Sequence, residues 1–171
     1  MPPTPANPVD ANLLAARGAF AQRKFDLREL PRVKDAGASS GEVSADLRFS
    51  EIDAHPGVQG HLSGTVIMSC QRCCADVNVI LDEHFALAIV QSEEAAGLVA
   101  EQYDAVIGDP MRLDLRWLVE EQVLLALPLV PRHADDVRCL PEAASSDGAP
   151  ALDEDAAQHP FANLRDLLRN S

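Results

Sequence analysis

The sequence predicts an α+β fold: an antiparallel β-meander packed with one long helix, plus a tethered short C-terminal helix. Three observations predict it. Short segments alternating polar and apolar residues recur through the first half, with no helix-length insertion between them. One dense apolar segment with helical period, Leu115–Leu127, stands in the second half. An acidic stretch rich in Ala, Ser, Gly and Pro then separates it from a last amphipathic segment.

In chain order, Asp10 is placed to cap a short helix through Leu13, Leu14 and Ala16 that stops near Gly18. Lys24–Leu30 alternates as a half-buried strand does, and Gly37–Gly41 reads as a flexible turn. Val43–Phe49 and His61–Met68 are two further strands, with His55-Pro-Gly57 in the connection between them. Val77–Leu81 runs on into Phe85–Val90 as one bent strand or two, and Tyr103–Ile107 is an edge strand. Asp114 caps the helix Leu115–Leu127, which Pro128 ends. Its stripe is Leu115, Leu118, Val119, Gln122, Val123 and Ala126; Trp117, Leu124 and Leu127 lie outside it, so the helix is buried on more than one side or lends a face to a partner. Pro160 suits the first position of a terminal helix lined by Phe161, Leu164, Leu167 and Leu168. These elements divide the chain into one α+β domain over 1–140, an acidic linker over 141–159, and the C-terminal helix over 160–171.

Hydrophobic residues make up 47% of the 171 and aromatics only 4%, so the core must be built from aliphatic side chains. The stretch Trp117–Pro131 carries Glu120 and Glu121 and is too short to span a bilayer. The N-terminus has no basic segment followed by an apolar run, so a signal peptide is not expected and a cytoplasmic location is. In that reducing setting the four cysteines point to thiols or metal before disulfides.

Fourteen Lys and Arg against 27 Asp and Glu give a net charge of −13, which repels nucleic-acid phosphates and anionic membranes. The charge is uneven. Arg17, Arg23, Lys24, Arg28, Arg32 and Lys34 face only three acidic residues between 17 and 35, making this segment the candidate for RNA or partner contact. Between 132 and 159 the balance reverses, and an acidic body of this kind suits a basic protein partner.

Cys70-Gln-Arg-Cys73-Cys74 is the motif with chemistry in it. A redox pair needs its first cysteine at a helix N-terminus, whereas residues 75–81 alternate like a strand. A zinc site needs two more ligands, for which His133 and Cys139 are the candidates. A purely structural turn with small buried thiols is the third reading. No cofactor is required by the sequence, and zinc is the one it offers.

Together the strand ending in Cys70-Gln-Arg-Cys73, the segment Leu113–Pro131 with His133 and Cys139 beyond it, and the terminal His159-Pro-Phe-Ala-Asn-Leu164 resemble the YceD family, the large ribosomal RNA subunit accumulation proteins. The resemblance runs from about residue 10 to the end. It implies a non-enzymatic role in the synthesis, processing or stability of large-subunit (23S) ribosomal RNA. Some relatives carry a second full C-x-x-C after the proline-ended helix, where this chain has only His133 and Cys139.

Enzyme readings lack support. Asp82-Glu83-His84 falls where charged residues mark a turn or solvent face, Ser39-Ser40-Gly41 lacks a nucleophile's strand–turn–helix context, and no glycine-rich phosphate loop is present. The expectation is a non-catalytic accessory factor. It would act through a basic ribosomal protein or an RNA-processing factor, with indirect or weak RNA contact and no membrane. The alternative is a small zinc-binding or thiol-redox module working through Cys70 and Cys73.

Overall fold

The computed structural model describes residues 7–134. Five strands make one sheet in chain order: β1 (Phe20–Asp26), β2 (Ala38–Ile52), β3 (His55–Ser69), β4 (Asp76–Val90) and β5 (Asp104–Ile107). The first four are antiparallel neighbours. β5 lies parallel to β4, pairing Leu87 with Asp104 through Val90 with Ile107, so the sheet is mixed where a wholly antiparallel meander was expected. The chain between β4 and β5 returns through α3 (Glu93–Ala96) instead of a tight turn, and a parallel pair needs such a crossover.

β2, β3 and β4 are 15 residues each, about 50 Å of strand. Val43, Ala45, Leu47 and Phe49 of β2, Val58, Leu62 and Val66 of β3, and Leu81, Leu87 and Ile89 of β4 form the buried face. That face is covered by Ala11 of α1 (Ala11–Ala16), Val33 of α2 (Pro31–Asp35), and Leu115, Leu118, Val119 and Val123 of α4 (Leu115–Ala126).

α4 has 12 residues, an ordinary length, and not the long helix anticipated. Its start agrees with the sequence: Asp114 Oδ1 accepts from the N–H groups of Arg116 and Trp117. It buries one side, leaving Trp117 and Leu125 exposed. Asp10 likewise caps α1 through the Leu13 N–H.

Three local expectations change. β1 begins at Phe20 and ends at Asp26, where Asp26 and Glu29 form a capping box over a 3-10 turn at Leu27–Glu29. Gly37–Gly41 is not a free turn: β2 starts at Ala38, with a register shift around Ser39. The β2–β3 hairpin turns at Asp53 and Ala54, whose φ of 48° and 64° fit a two-residue left-handed turn, while His55, Pro56 and Gly57 are paired within β3. The linker 141–159 and the C-terminal helix 160–171 lie outside the described residues. No helix among the described residues is long and apolar enough to cross a membrane.

Candidate metal centre

The chain leaves β3 at Ser69 and re-enters the sheet at Asp76, and the cysteine motif is the turn between them. The Cys70 N–H donates to the Ala75 carbonyl and the Cys74 N–H to the Cys70 carbonyl, folding the turn back on itself. Cys74 takes a left-handed φ of 62°, a conformation that costs a non-glycine residue about 1–2 kcal/mol. Cys70 is buried, Cys73 half-buried and Cys74 exposed.

The segment after α4 comes back to this turn. The Gln71 N–H donates to the Pro131 carbonyl at 2.9 Å, seating residue 131 against the cysteines. Two residues on, His133 Nδ1 lies 3.5 Å from Cys73 Sγ, and His133 Nε2 lies 3.0 Å from the Asp76 carbonyl oxygen. A carbonyl only accepts, so Nε2 must carry the hydrogen, and in the neutral imidazole Nδ1 then keeps its lone pair toward the Cys73 sulfur. This is the orientation a metal-ligating histidine has, with its other nitrogen held by a backbone carbonyl.

The ligand atoms of Cys70, Cys73 and His133 all lie within 4.8 Å of one another, and they are the metal-capable group of three found among the described residues. Zinc bonds of about 2.3 Å to sulfur and 2.0–2.1 Å to nitrogen, at tetrahedral angles, put an S and an N ligand about 3.6 Å apart. The Cys73–His133 distance matches that edge. Cys139 lies outside the described residues.

The basic segment is spread over several elements. Arg17 caps α1, Arg23 and Lys24 are on β1, Arg28 is in the 3-10 turn, and Arg32 and Lys34 are on α2. Carboxylates of this fold sit against several of them: Glu42 is 3.6 Å from Lys24, Asp26 is 3.6 Å from Arg28, and Glu121 is 2.6 Å from Arg32. Such surface pairs contribute about 1 kcal/mol or less, but they lower the positive potential the segment offers to phosphates.

Strand alternation separates Asp82-Glu83-His84. Asp82 and His84 share the open sheet face with His61, which is paired opposite His84. The two imidazoles stack with centroids 4.2 Å apart, and His61 Nε2 is 2.6 Å from Asp82 Oδ1. That hydrogen bond first, and the nearby imidazole charge second, hold the Asp82 carboxyl below the usual carboxylate range. Glu83 points to the other face. His61 carried no signal in the sequence, since only strand pairing brings it to Asp82 and His84. The Asp76 carbonyl that holds His133 and the Pro131 carbonyl that holds the cysteine turn were equally invisible, because any residue supplies a carbonyl.

A family model described as "Large ribosomal RNA subunit accumulation protein YceD" matches residues 58–168, well over half of the chain. The match begins within β3 and includes Cys70, Cys73 and His133. No solved structure matches the chain.

Proposed function

The chain belongs to the large ribosomal RNA subunit accumulation proteins of the YceD family, and on that premise we propose that it is a non-catalytic accessory factor for large-subunit (23S) ribosomal RNA. It would serve the synthesis, processing or stability of that RNA in the cytoplasm. The family match is the observation that carries this reading. Two features support the non-catalytic part: Glu83 lies on the opposite sheet face from Asp82 and His84, so the three do not form one acid–base group, and the cysteine turn leads into a strand. A net charge of −13 argues for action through a basic ribosomal protein or a processing factor, with RNA contact weak or indirect.

The Cys70–Cys73–His133 cluster favours a companion reading, a structural zinc site with Cys139 as the fourth ligand. Zinc would tie the β3–β4 turn to the chain leaving α4 and carry no chemistry beyond that. A redox role has less behind it. Cys70 is buried at the end of a strand and has no helix N-terminus to stabilise a thiolate.

The test is the ratio of mature large-subunit to small-subunit ribosomal RNA in cells lacking this protein, with and without the gene restored. A selective loss of large-subunit RNA that the gene repairs supports the reading. An unchanged ratio removes it.

A further inference from the structure

β5 pairs only with residues 87–90 of β4, so the sheet steps back along the earlier part of β4. A cleft of about 280 Å³ opens at this step, between β4, the first residue of β5 and the second half of α4. Its lining includes Glu83, His84, Phe85, Asp104, Gln122 and Leu125. It is smaller than the roughly 300–1,000 Å³ typical of small-molecule sites, and suits side chains better than a cofactor.

Its two carboxylates share it with one imidazole, that of His84, which is stacked on His61. Glu83 and Asp104 are exposed, and their carboxylates make no hydrogen bond or ion pair among the described residues. This differs from Asp26, Glu42 and Glu121, each of which faces a cation of the fold. Gln122 is only 9% exposed, and its side-chain amide bonds to no group among the described residues. With no partner among the described residues, such an amide can bond an incoming polar group in place of solvent. The Phe85 ring and Leu125, which is 72% exposed, supply apolar surface to the same cleft. Glu83 and Leu87 are four residues apart on one strand, and Leu87 pairs with Asp104. The backbone positions of Glu83 and Asp104 are therefore offset by about 13 Å along the strand direction.

We propose that this cleft docks a basic segment of a partner protein, taking Arg or Lys side chains at Glu83 and Asp104. The apolar stems lie on Phe85 and Leu125, and one cationic head donates to the Gln122 carbonyl oxygen. The proposal rests on the accessory-factor reading above and gives it a surface. RNA is the poorer occupant, because unpaired carboxylates repel phosphate. A second copy of a chain with net charge −13 is disfavoured for the same reason.

The test measures binding of a labelled hexa-arginine peptide to the full chain at low salt. The intact protein is compared with Glu83→Gln/Asp104→Asn and with Glu93→Gln/Glu94→Gln, a pair that removes the same charge at α3. Both pairs lie outside the core, and unchanged thermal melting confirms that the variants fold. The cleft pair should weaken the peptide about tenfold and the α3 pair by less than about twofold. Gln122→Leu should weaken it with no change in net charge.

Equal weakening by both pairs would overturn the proposal, since the peptide would then be reading overall charge. So would concentration-dependent self-association lost in the cleft variant, or single-stranded RNA that competes for the cleft. The accessory-factor reading fails by a different result, an unchanged ribosomal RNA ratio, even if the peptide still distinguishes the two acidic pairs.

Discussion

His133 turns its Nδ1 toward Cys73 Sγ at 3.5 Å while its Nε2 donates to the Asp76 carbonyl at 3.0 Å. The two side chains are 60 residues apart in sequence. Their meeting closes a loop that contains all of β4, α3, β5 and α4. The backbone bond from Gln71 N–H to the Pro131 carbonyl makes the same closure beside them. A metal bound there would act as a cross-link, and a cross-link over a loop this long stabilises by up to about 4 kcal/mol through loss of chain entropy.

Removing the histidine should therefore weaken more than a local contact. His133→Ala is expected to lower the thermal midpoint and to abolish any further drop when a chelator is added. The intact chain should lose stability with chelator alone. Thermal melts with and without the chelator check this.

Gly60 of β3 is paired opposite Phe85 of β4, and a Cβ built on Gly60 would overlap the tip of the Phe85 ring, nearest its Cζ. Gly60→Ala should cost about 1–3 kcal/mol, because the ring must leave its place. Urea denaturation reads the loss, and a double-mutant cycle locates it. In a Phe85→Leu background the same substitution should cost much less.

Glu120 is 4% exposed on α4, and its Oε1 accepts the Arg32 N–H of α2 at 2.6 Å. The neighbouring Glu121 takes the Arg32 guanidinium at 2.6 Å. Glu120→Ala leaves the Arg32 N–H without its acceptor and should destabilise by about 1–3 kcal/mol. Glu120→Gln keeps an acceptor oxygen and should cost less, again by urea denaturation. Equal costs would show that the charge matters more than the bond.

Asp114 caps α4 and also accepts from Asn7 Nδ2 at 2.7 Å. Burial works to raise its pKa, but the bonds from Asn7, Trp117 and Arg116 outweigh it, and the carboxyl is held below its ordinary value. A lowered folded-state pKa contributes stability above the unfolded value of about 3.9 and loses it as pH falls through the folded one. Asp114→Ala should cost about 1 kcal/mol at neutral pH. The difference from the intact chain should shrink below about pH 4, as measured by denaturation at pH 7 and pH 3.

α4 was legible because its signals are local: an Asp at the cap, helical spacing and Pro128 beyond. The β-strands were legible as alternation, though β1 starts and ends about four residues earlier than its alternation suggests, because Asp26 and Glu29 convert the expected end into a capped turn. The direction of β5 was not legible, since a four-residue strand reads the same whether its neighbour runs with it or against it. The hairpin at Asp53 and Ala54 lacks the usual Asn-Gly signal, and the nearby Pro-Gly is the stronger turn signal in the sequence. At the cysteines, spacing alone nominated His133, and the fold supplies what spacing could not: the carbonyl that sets its tautomer. The acidic cleft was not readable at all. Glu83 reads as part of a charged turn, and Gln122 as one member of a core stripe.

Whether Cys70, Cys73 and His133 form a metal clasp is decided most simply by the zinc content of untagged full-length protein purified without chelator. About one equivalent is expected, falling to near zero in Cys70→Ser/Cys73→Ser and dropping when Cys139→Ser removes the proposed fourth ligand. Less than about a tenth of an equivalent in the intact chain would contradict the clasp and leave the cluster as buried thiols beside a hydrogen-bonded histidine.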